Sequence, residues 1–383
     1  MNSTLPVHPG IPFHGFGKKI ASFASQNVVF LVALCAALIS SFFIPPDAKY
    51  LSYFDWKTLS CLFSVLAVVG ALRSVRFFTV LAQGIVSRFT TTRSCFLALV
   101  YVTFIGSMFI ANDMALLTFL PLGYLVVRET GEEKYMAFLF IMQNISANLG
   151  GMLTPFGNPQ NLYLYSFFEI PTGEFMSIML LPFVCAVSLL TICCLLVPRE
   201  SLILTGERAV PGSRWKRDIY LVLFAISIIM VFRILPYWIG LIIIFISLLF
   251  LSPESLKGVD YPLLLTFFCF FIFSGNLSRI PAIRSFFSAL LGRNTLLVSI
   301  LSCQCISNVP SAILLSQFTD NYAQLLRGVN IGGTGTLIAS LASLITFREF
   351  QKHAKEKTKT YLLLFTGFNL LFLVVLTVIC SIF

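Results

Sequence analysis

The stretch Asn148-Leu-Gly-Gly-Met-Leu-Thr154 returns later in the chain as Asn330-Ile-Gly-Gly-Thr-Gly-Thr336, with Asn, Gly, Gly and Thr in the same places. The offset between the copies is 182 residues (330 − 148). Each copy lies inside an apolar run long enough to cross a bilayer, which takes about 20 residues. A glycine doublet inside such a run frees backbone groups that hydrocarbon cannot satisfy. Two interrupted spans in matching halves indicate a transporter, and close helix packing through small residues is the alternative explanation.

The composition is typical of a helical membrane protein. The 383 residues are 57% hydrophobic and only 11% charged, whereas soluble domains carry about 25% charged residues. The formal charge of +10 comes from basic residues in short loops, where they set the orientation of the spans. We therefore expect a lipid bilayer around this chain and no nucleic-acid partner.

The apolar runs predict nine spans and two longer stretches that are interrupted at their centres. The spans lie near 27–44, 56–72, 135–168, 175–197, 218–235, 237–251, 260–278, 323–347 and 360–382. The stretches 94–127 and 295–320 contain the polar breaks Ala111-Asn112-Asp113 and Ser307-Asn308-Val309-Pro310. Each of these two stretches is expected to form a re-entrant helical hairpin, which enters and leaves on one side of the membrane.

The distribution of basic residues predicts the orientation. The first interrupted stretch begins at Arg93 and ends at Arg128, and a hairpin keeps both arginines on one side. Under this layout 19 of the 26 Lys and Arg residues are cytoplasmic and the remaining 7 (26 − 19) are external or near the outer ends. Basic loops favour the cytoplasmic side. We therefore expect a multi-pass protein of the plasma membrane (the inner membrane of a bacterium), with its N-terminus cytoplasmic and its C-terminus external.

These elements divide the chain into two repeats of opposite orientation. The predicted segments are a cytoplasmic N-terminal segment 1–26, a first repeat 27–197 (hairpin 94–127, broken helix 135–168), a cytoplasmic loop and connecting helix 198–236, and a second repeat 237–383 (hairpin 295–320, broken helix 323–347). The pairs Asp55/Asp260 and Gly70/Gly275 share an offset of 205 (260 − 55) and support the division. The predicted fold class is an all-α polytopic membrane protein with inverted-topology repeats, each containing a re-entrant helical hairpin and a broken transmembrane helix.

Four motifs carry a resemblance to a known family. They are Ala111-Asn-Asp-Met-Ala-Leu-Leu-Thr-Phe-Leu-Pro121, Gly157-Asn-Pro-Gln-Asn161, Ser307-Asn-Val-Pro310 and Asn330-Ile-Gly-Gly333. With them, residues 27–380 resemble the ion transporter superfamily in its citrate-transporter-like branch, which includes divalent-anion/sodium symporters, arsenite permeases and a group of Na⁺/H⁺ antiporters. The resemblance implies a homodimer in which a transport domain slides against a rigid scaffold. In the symporters both hairpin tips read Ser-Asn-Thr, whereas this chain keeps only the Asn at both tips.

The polar residues at the breaks are the candidate site. Helix N-termini that open inside the membrane present free amides and a partial positive charge, so they can hold an anion. The expected substrate-binding residues are Asn112, Asp113, Asn158, Asn161, Ser307 and Asn308. The expected positions for the coupling ion, Na⁺ or H⁺, are Asp113, Gly150, Gly151, Thr154, Gly157, Asn330, Gly332, Gly333 and Thr336. No other cofactor is expected, and Na⁺ is the one metal ion considered.

Asp113 is the acidic residue at the centre of a hairpin. A charge at that depth costs about 2.5–3.5 kcal/mol on insertion scales, which makes the residue a functional candidate. Three roles are open for its carboxylate: to ligate sodium, to carry a proton, or to cap the second helix of the hairpin.

Together these features predict a secondary active transporter of a small anion, either a di- or tricarboxylate or an inorganic oxyanion, coupled to Na⁺ or H⁺. A Na⁺/H⁺ antiporter and an arsenite-type efflux permease on the same fold are the alternatives. An intramembrane enzyme would need a second acid or a histidine in the membrane beside Asp113; the sequence is expected to place neither there, so an enzyme ranks low. Broken helices in inverted repeats favour alternating access over a channel. The chain contains no Walker-type phosphate-binding loop, so we expect no ATP-driven transport by this chain.

Overall fold

The computed structural model describes residues 27–201 and 209–382, and these residues are almost entirely helical. The predicted N-terminal segment 1–26 lies outside the described residues. In chain order the helices of the described ranges are α1 Val28–Phe43, α2 Trp56–Ser74, α3 Phe77–Val86, α4 Thr92–Ser107, α5 Asn112–Glu129, α6 Met136–Gly150, α7 Pro159–Phe167, α8 Thr172–Leu195, α9 Arg214–Val231, α10 Tyr237–Leu251, α11 Pro253–Lys257, α12 Tyr261–Ser278, α13 Pro281–Arg293, α14 Thr295–Ile306, α15 Asn308–Leu315, α16 Tyr322–Ile331, α17 Leu341–His353 and α18 Thr358–Ile382. Short 3₁₀ turns at Ala48–Tyr53 and Gly151–Leu153 join some of them.

Five helical segments of the described ranges are long and apolar enough to cross a membrane singly. They are Trp56–Ser74, Glu133–Leu153, Thr172–Leu195, Tyr261–Ser278 and Lys355–Ile382. Shorter apolar helices, among them α1 and α10, accompany these segments. An all-helical polytopic membrane fold is therefore confirmed.

Both predicted hairpins are present. Helices α4 and α5 pack against each other on either side of residues 108–111, and α14 and α15 do so on either side of Ser307. The first helix of each hairpin starts at a polar cap, because Thr91 and Asn294 accept hydrogen bonds from backbone N–H groups of the first turn at 3.3 and 2.9 Å. Ser307 has a φ of 76°, a left-handed conformation that turns the chain sharply at the second tip.

Both predicted broken helices are also present, and both break at the glycine doublets. Helix α6 ends at Gly150 and the chain becomes helical again at Pro159, whose fixed φ suits a first helical turn. Helix α16 ends at Ile331, and α17 begins after Ser340, which caps it by accepting the N–H of Ala342 at 3.2 Å. In each repeat a polar residue or proline thus restarts the helix inside the fold.

The two repeats pack across each other. Helix α1 of the first repeat lies against α12 of the second, and α10 of the second lies against α2 of the first. The second helix of each hairpin likewise packs against the other repeat: α5 packs on α17, and α15 packs on α7. This reciprocal packing is what two repeats of opposite orientation produce around a shared axis. The ends of the repeats at 197 and 237 stay a prediction.

Residue pairs at the offset of 205 occupy equivalent places. Asp55 and Asp260 cap α2 and α12, each accepting a backbone N–H of the first turn at 2.9 Å. Gly275 lets the 3₁₀ turn of the first repeat approach α12, since an added Cβ would lie 2.5 Å from the ring of Tyr53. Gly70 faces α11 of the second repeat, where the same atom would lie 3.8 Å from the carbonyl oxygen of Ser255.

Candidate functional site

Both hairpin tips line one cavity of about 170 Å³. The first tip contributes Asn112 and Asp113, and the second contributes Ser307 and Asn308. These residues are separated by nearly 200 positions in the chain, so only the packing of the two repeats brings them together. The four residues were all predicted as substrate-binding positions, whereas the predicted Asn158 and Asn161 do not line the cavity. The role of all six stays a prediction.

The restarted halves of both broken helices point their N-termini at the same cavity. Pro159 and Gln160 of α7 line it, as do Leu341 of α17 and its cap Ser340. Four helices, α5, α7, α15 and α17, therefore begin at the cavity wall. The starts of α1 and α12 line the cavity as well. Because each helix N-terminus carries a partial positive charge and free N–H groups, the cavity is suited to an anion or to a strongly polar ligand.

The two tip asparagines are held in similar ways. The side-chain oxygen of each accepts the N–H of the residue that follows, at 3.0 Å for Asn112 and 2.9 Å for Asn308. The Nδ2 of Asn112 also donates to Oδ1 of Asn148 at 3.2 Å, and the backbone N–H of Asn308 donates to the carbonyl of Ala339 at 3.0 Å. Each tip is thus anchored to a broken helix.

Asn148, the first residue of the repeated motif, connects three elements. Besides the bond from Asn112, its Oδ1 accepts the hydroxyl of Ser340 at 2.7 Å, and its carbonyl accepts Nδ2 of Asn158 at 3.3 Å. Asn158 and Ser340 are the caps of α7 and α17, and they are themselves 182 residues apart (340 − 158). The repeated motif therefore fixes the first hairpin tip relative to both helix restarts.

Asn161 forms hydrogen bonds with backbone carbonyls of the first break. Its Nδ2 lies 3.1, 3.3 and 3.4 Å from the carbonyl oxygens of Gly151, Met152 and Thr154, and its Oδ1 accepts Nδ2 of Asn330 at 2.6 Å. The residue is fully buried and is not among those that line the cavity. Its contacts are therefore to the protein backbone and to the second broken helix.

Gln304 of the second hairpin forms hydrogen bonds with the backbone of the second break. Its Nε2 donates to the carbonyl oxygens of Gly332 and Thr334 at 2.9 and 3.2 Å, and its Oε1 accepts the N–H of Thr336 at 2.9 Å. Gly333 lies against the second tip, where an added Cβ would be 3.1 Å from Nδ2 of Asn308. In both repeats a side-chain amide therefore bonds the carbonyls that the glycine break exposes.

The predicted coupling-ion positions other than Asp113 form two groups, one at each break. The first group is Gly150, Gly151, Thr154 and Gly157, and the second is Asn330, Gly332, Gly333 and Thr336. In the described structure these residues do not line the cavity. Their role with the coupling ion stays a prediction.

Asp113 lines the cavity, and its carboxylate has no hydrogen-bond partner among the residues that the structure describes; its Oδ1 is buried. It does not cap α5, since α5 has no side-chain cap bond. Asp260 also lines the cavity, close enough for the two carboxylate charges to interact, so the expectation that Asp113 has no acidic neighbour was wrong. Arg348 of α17 lines the same cavity. The wall thus combines two acids and one guanidinium with the four helix N-termini.

Six polar residues that line the cavity were not among the predicted site residues: Asn27, Gln160, Asp260, Thr266, Ser340 and Arg348. Gln160 lies inside the Gly157–Asn161 motif, and Ser340 stands at the repeat offset from Asn158, so both carried a sequence signal. Asp260 was recognised as the partner of Asp55 in the repeat but not as a cavity residue. Arg348 follows immediately after the predicted end of the second broken helix at 347.

The fold and site define a class of protein: a membrane transporter with inverted repeats, paired hairpins and broken helices around one polar cavity. Residues 19–328 match the model of the citrate transporter family, and the chain belongs to that family. The crystal structure of the Alcanivorax borkumensis YdaH transporter has a similar fold, with a TM-score of 0.54 at 11% identity, covering 94% of this chain and 97% of that one.

Two relatives are similar over most of their length. The chain is 35% identical over 299 residues to the uncharacterized transporter MJ0456 of Methanocaldococcus jannaschii, covering 77% of this chain and 81% of the relative. It is 30% identical over 316 residues to the Escherichia coli inner membrane protein YbiR, covering 80% and 84%. A shorter match, 28% over 161 residues, joins 42% of this chain to 30% of the rice silicon efflux transporter LSI3.

Proposed function

We propose that this protein is a secondary active transporter of a small anion, coupled to H⁺ or Na⁺. The observation that carries the proposal is the convergence of α5, α7, α15 and α17, by their N-termini, on one cavity. The dipoles at four helix ends favour negative charge without a dedicated lysine. Arg348 on the same wall adds a full positive charge.

The acids in the cavity support coupling. An anion entering beside Asp113 and Asp260 is repelled while both carboxylates are charged, and removing that repulsion takes a proton or a bound cation. Asp113 is the better candidate for this role, because its buried Oδ1 has no partner in the described residues, whereas Asp260 already caps α12. Substrate and coupling ion would then bind together.

The arrangement of the cavity supports an elevator-type mechanism. The hairpins and broken helices line it together with the first turns of α1 and α12. Sliding of the first group past the second would carry the site across the bilayer. With the N-terminus cytoplasmic, the cavity lies toward the cytoplasm, since α1 begins beside it. We include the plasma membrane and a homodimer in the proposal, both on the ground of family resemblance.

The test is uptake by purified protein in liposomes under imposed proton and sodium gradients. Asp113→Asn keeps the shape of the side chain and removes its charge, so gradient-driven uptake should be lost while passive exchange of substrate survives. Asp55→Asn is the matched control, because Asp55 caps α2 outside the cavity and Asn is nearly as good a cap. Wild-type uptake by Asp113→Asn under every imposed gradient would remove Asp113 from coupling.

A cation/proton antiporter on the same fold is the second candidate, and the observation that favours it is the presence of two carboxylates in one cavity. It predicts proton release on addition of Na⁺ or Li⁺ with no anion present. Because a relative is named for silicon efflux, inorganic oxyacids belong in the substrate panel beside carboxylates. Transport of an anion or oxyacid, with no cation–proton exchange in its absence, would exclude the antiporter.

A further inference from the structure

An apolar cavity of about 270 Å³ lies beside the first hairpin and shares no residue with the polar cavity at the two tips. Helix α3 forms one side of it with Phe77 and Leu81, the hairpin forms another with Ile105 and Phe109, and α9 contributes Phe224. Its lining is almost entirely carbon. The cavity therefore separates the first hairpin from α9, with α3 at its side.

This cavity is open to its surroundings, and its surroundings are the bilayer. Leu81, Ile105 and Phe109 are 52%, 51% and 43% exposed. In a membrane protein the molecules that cover such a surface are acyl chains. A cavity of roughly 150 Å³ accommodates the six carbon atoms of benzene, so one of about 270 Å³ has room for about ten. One acyl chain therefore fits the chemistry and the volume.

Two arginines stand at one end of this cavity. Leu72 and Phe77 line it, and they are the immediate chain neighbours of Arg73 and Arg76. Arg73 is in the last turn of α2, at the end of the span Trp56–Ser74. Because a span ends close to the lipid headgroups, we expect both guanidinium groups near the level of the lipid phosphates.

Neither arginine has a carboxylate partner among the residues that the structure describes. Arg73 donates Nη1–H to Sδ of Met114 at 3.7 Å, and a thioether is only a weak acceptor. The chain has no Asp or Glu between Asp55 and Asp113, so no acid lies nearby in sequence either. Basic pockets between spans are the places where anionic lipid headgroups bind.

The equivalent turn of the second repeat is neutralised within the protein. Arg279 directly follows α12 and precedes α13, as the two arginines of the first repeat lie between α2 and α3. Its guanidinium donates to both carboxylate oxygens of Asp47 at 3.1 and 2.7 Å and to the hydroxyl of Tyr53 at 3.0 Å. The first repeat has no such acid at this turn in its described part, which leaves its positive charge to an external anion.

We propose that the apolar cavity and the two arginines form a binding site for an anionic phospholipid. One acyl chain occupies the cavity between α3, the first hairpin and α9, and the phosphate accepts hydrogen bonds from Arg73 and Arg76. The inference goes beyond the proposed transport function and does not depend on which substrate is carried. Because the chain lies between the hairpin and α9, its binding links the lipid composition of the bilayer to the position of the hairpin.

The experiment measures lipid binding to the purified full-length protein in detergent by native mass spectrometry. The probes are phosphatidylglycerol and phosphatidylcholine with identical acyl chains, with oleate and inorganic phosphate as competitors. The two phospholipids share their phosphate and chains, but the choline group cancels the net charge. We expect phosphatidylglycerol to bind more tightly by a factor of roughly ten or more. At equal concentration neither competitor should displace it, because oleate lacks the phosphate and inorganic phosphate lacks the chain.

Replacing the arginines tests the headgroup contact. Arg73→Gln and Arg76→Gln should each weaken phosphatidylglycerol binding roughly fivefold, and the double variant about 30-fold, with phosphatidylcholine little affected. Arg284→Gln is the matched control, since it removes an exposed arginine from α13, the corresponding helix of the second repeat. Phosphatidylglycerol should also raise the unfolding midpoint of the wild type more than that of the double variant, because a ligand stabilises only the state that binds it.

Filling the cavity tests the acyl-chain contact. Leu81→Trp places a larger side chain in the cavity and should weaken both phospholipids by a similar factor, leaving the preference between them unchanged. Leu363→Trp is the matched control, because Leu363 is exposed on α18 and does not line the cavity. The unfolding midpoint without added lipid confirms that each variant is folded, and the single arginine variants keep the test open if the double variant does not fold.

Equal affinity of the wild type for the two phospholipids, or a preference that survives in the double arginine variant, would overturn the inference. So would an equal loss in Arg284→Gln, which would indicate a general effect of charge, or unchanged binding in Leu81→Trp. Displacement by oleate at equal concentration would assign the cavity to a fatty acid instead. Loss of the preference in the arginine variants alone, with weaker binding of both lipids in Leu81→Trp, supports the inference.

Discussion

Gly151→Ala is expected to destabilise the first break by roughly 1–3 kcal/mol, the usual cost of adding a methyl group to a well-packed site. An added Cβ would lie 2.6 Å from Oδ1 of Asn158 and 2.9 Å from the carbonyl oxygen of Gly157. Ordinary van der Waals contact starts at 3.4 Å. The neighbours must therefore retreat by about 0.8 Å (3.4 − 2.6) and 0.5 Å (3.4 − 2.9). One of these is backbone, and the other is a fully buried side chain bonded to Asn148, so neither can move freely.

Thermal unfolding of the purified protein in detergent measures the effect. In a domain of roughly 150–250 residues each kcal/mol lowers the midpoint by about 2–4 °C, so a drop of several degrees is expected. One fixed scan rate is used, since irreversible unfolding makes the midpoint depend on it. Gly367→Ala is the matched control. It lies within α18 with no atom within 4 Å of an added Cβ, and alanine is the better helix former by about 1 kcal/mol.

An unchanged midpoint for Gly151→Ala, alongside an unchanged or raised midpoint for Gly367→Ala, would refute the close approach of the two sides of the break. A lowered midpoint with normal substrate affinity would show that the break is structural and does not shape the cavity. We expect both quantities to fall, because Asn158 directly precedes Pro159, which lines the cavity.

Three further predictions concern the hairpins and their anchor. Asn112→Ala and Asn308→Ala should each weaken substrate binding by about 1–3 kcal/mol, the cost of unmatched buried partners; calorimetric titration giving wild-type affinity for both would place the site elsewhere. Asn148→Leu leaves two buried donors unpaired and should lower the unfolding midpoint more than either tip variant does, and a wild-type midpoint would contradict the role of this residue as an anchor. Cysteines replacing Arg93 and Arg128 in a background without other cysteines should react with an impermeant reagent from the same side, and reaction from opposite sides would contradict a re-entrant first hairpin.

The architecture could be predicted because each membrane-spanning, broken or restarted helix requires a recognisable local sequence pattern. A span needs a continuous apolar run, a break inside it needs glycine or a polar residue, and a helix restart needs a cap or a proline. The glycine doublets, the tips at Asn112 and Asn308, and the paired caps Asp55 and Asp260 all carry such signals. The structure accordingly has the hairpins and broken helices that the fold-class prediction included, whereas the short helices α3, α11 and α13 lie outside the predicted spans.

The composition of the site was harder to predict, because contact between repeats leaves no local pattern. Asn161 lies in the same motif as Gln160, yet it bonds the backbone of the break and Asn330 of the other repeat, whereas Gln160 is among the residues that line the cavity. The direction of a side chain on a restarted helix depends on how that helix is rotated by its neighbours, and sequence spacing within one motif does not specify it.

The sequence by itself determined that this chain spans a membrane, that it consists of two related halves, and that each half contains a hairpin and a broken helix. An apolar run, a helix cap or a glycine break involves only a few neighbouring residues, so each can be recognised from the local sequence. Only the tertiary structure decided that both tips and both restarted helices meet at one cavity, that Asp260 and Arg348 join Asp113 there, and that the amides of Asn161 and Gln304 bond the exposed carbonyls. Those outcomes depend on the packing of one repeat across the other, since the groups concerned lie far apart along the chain.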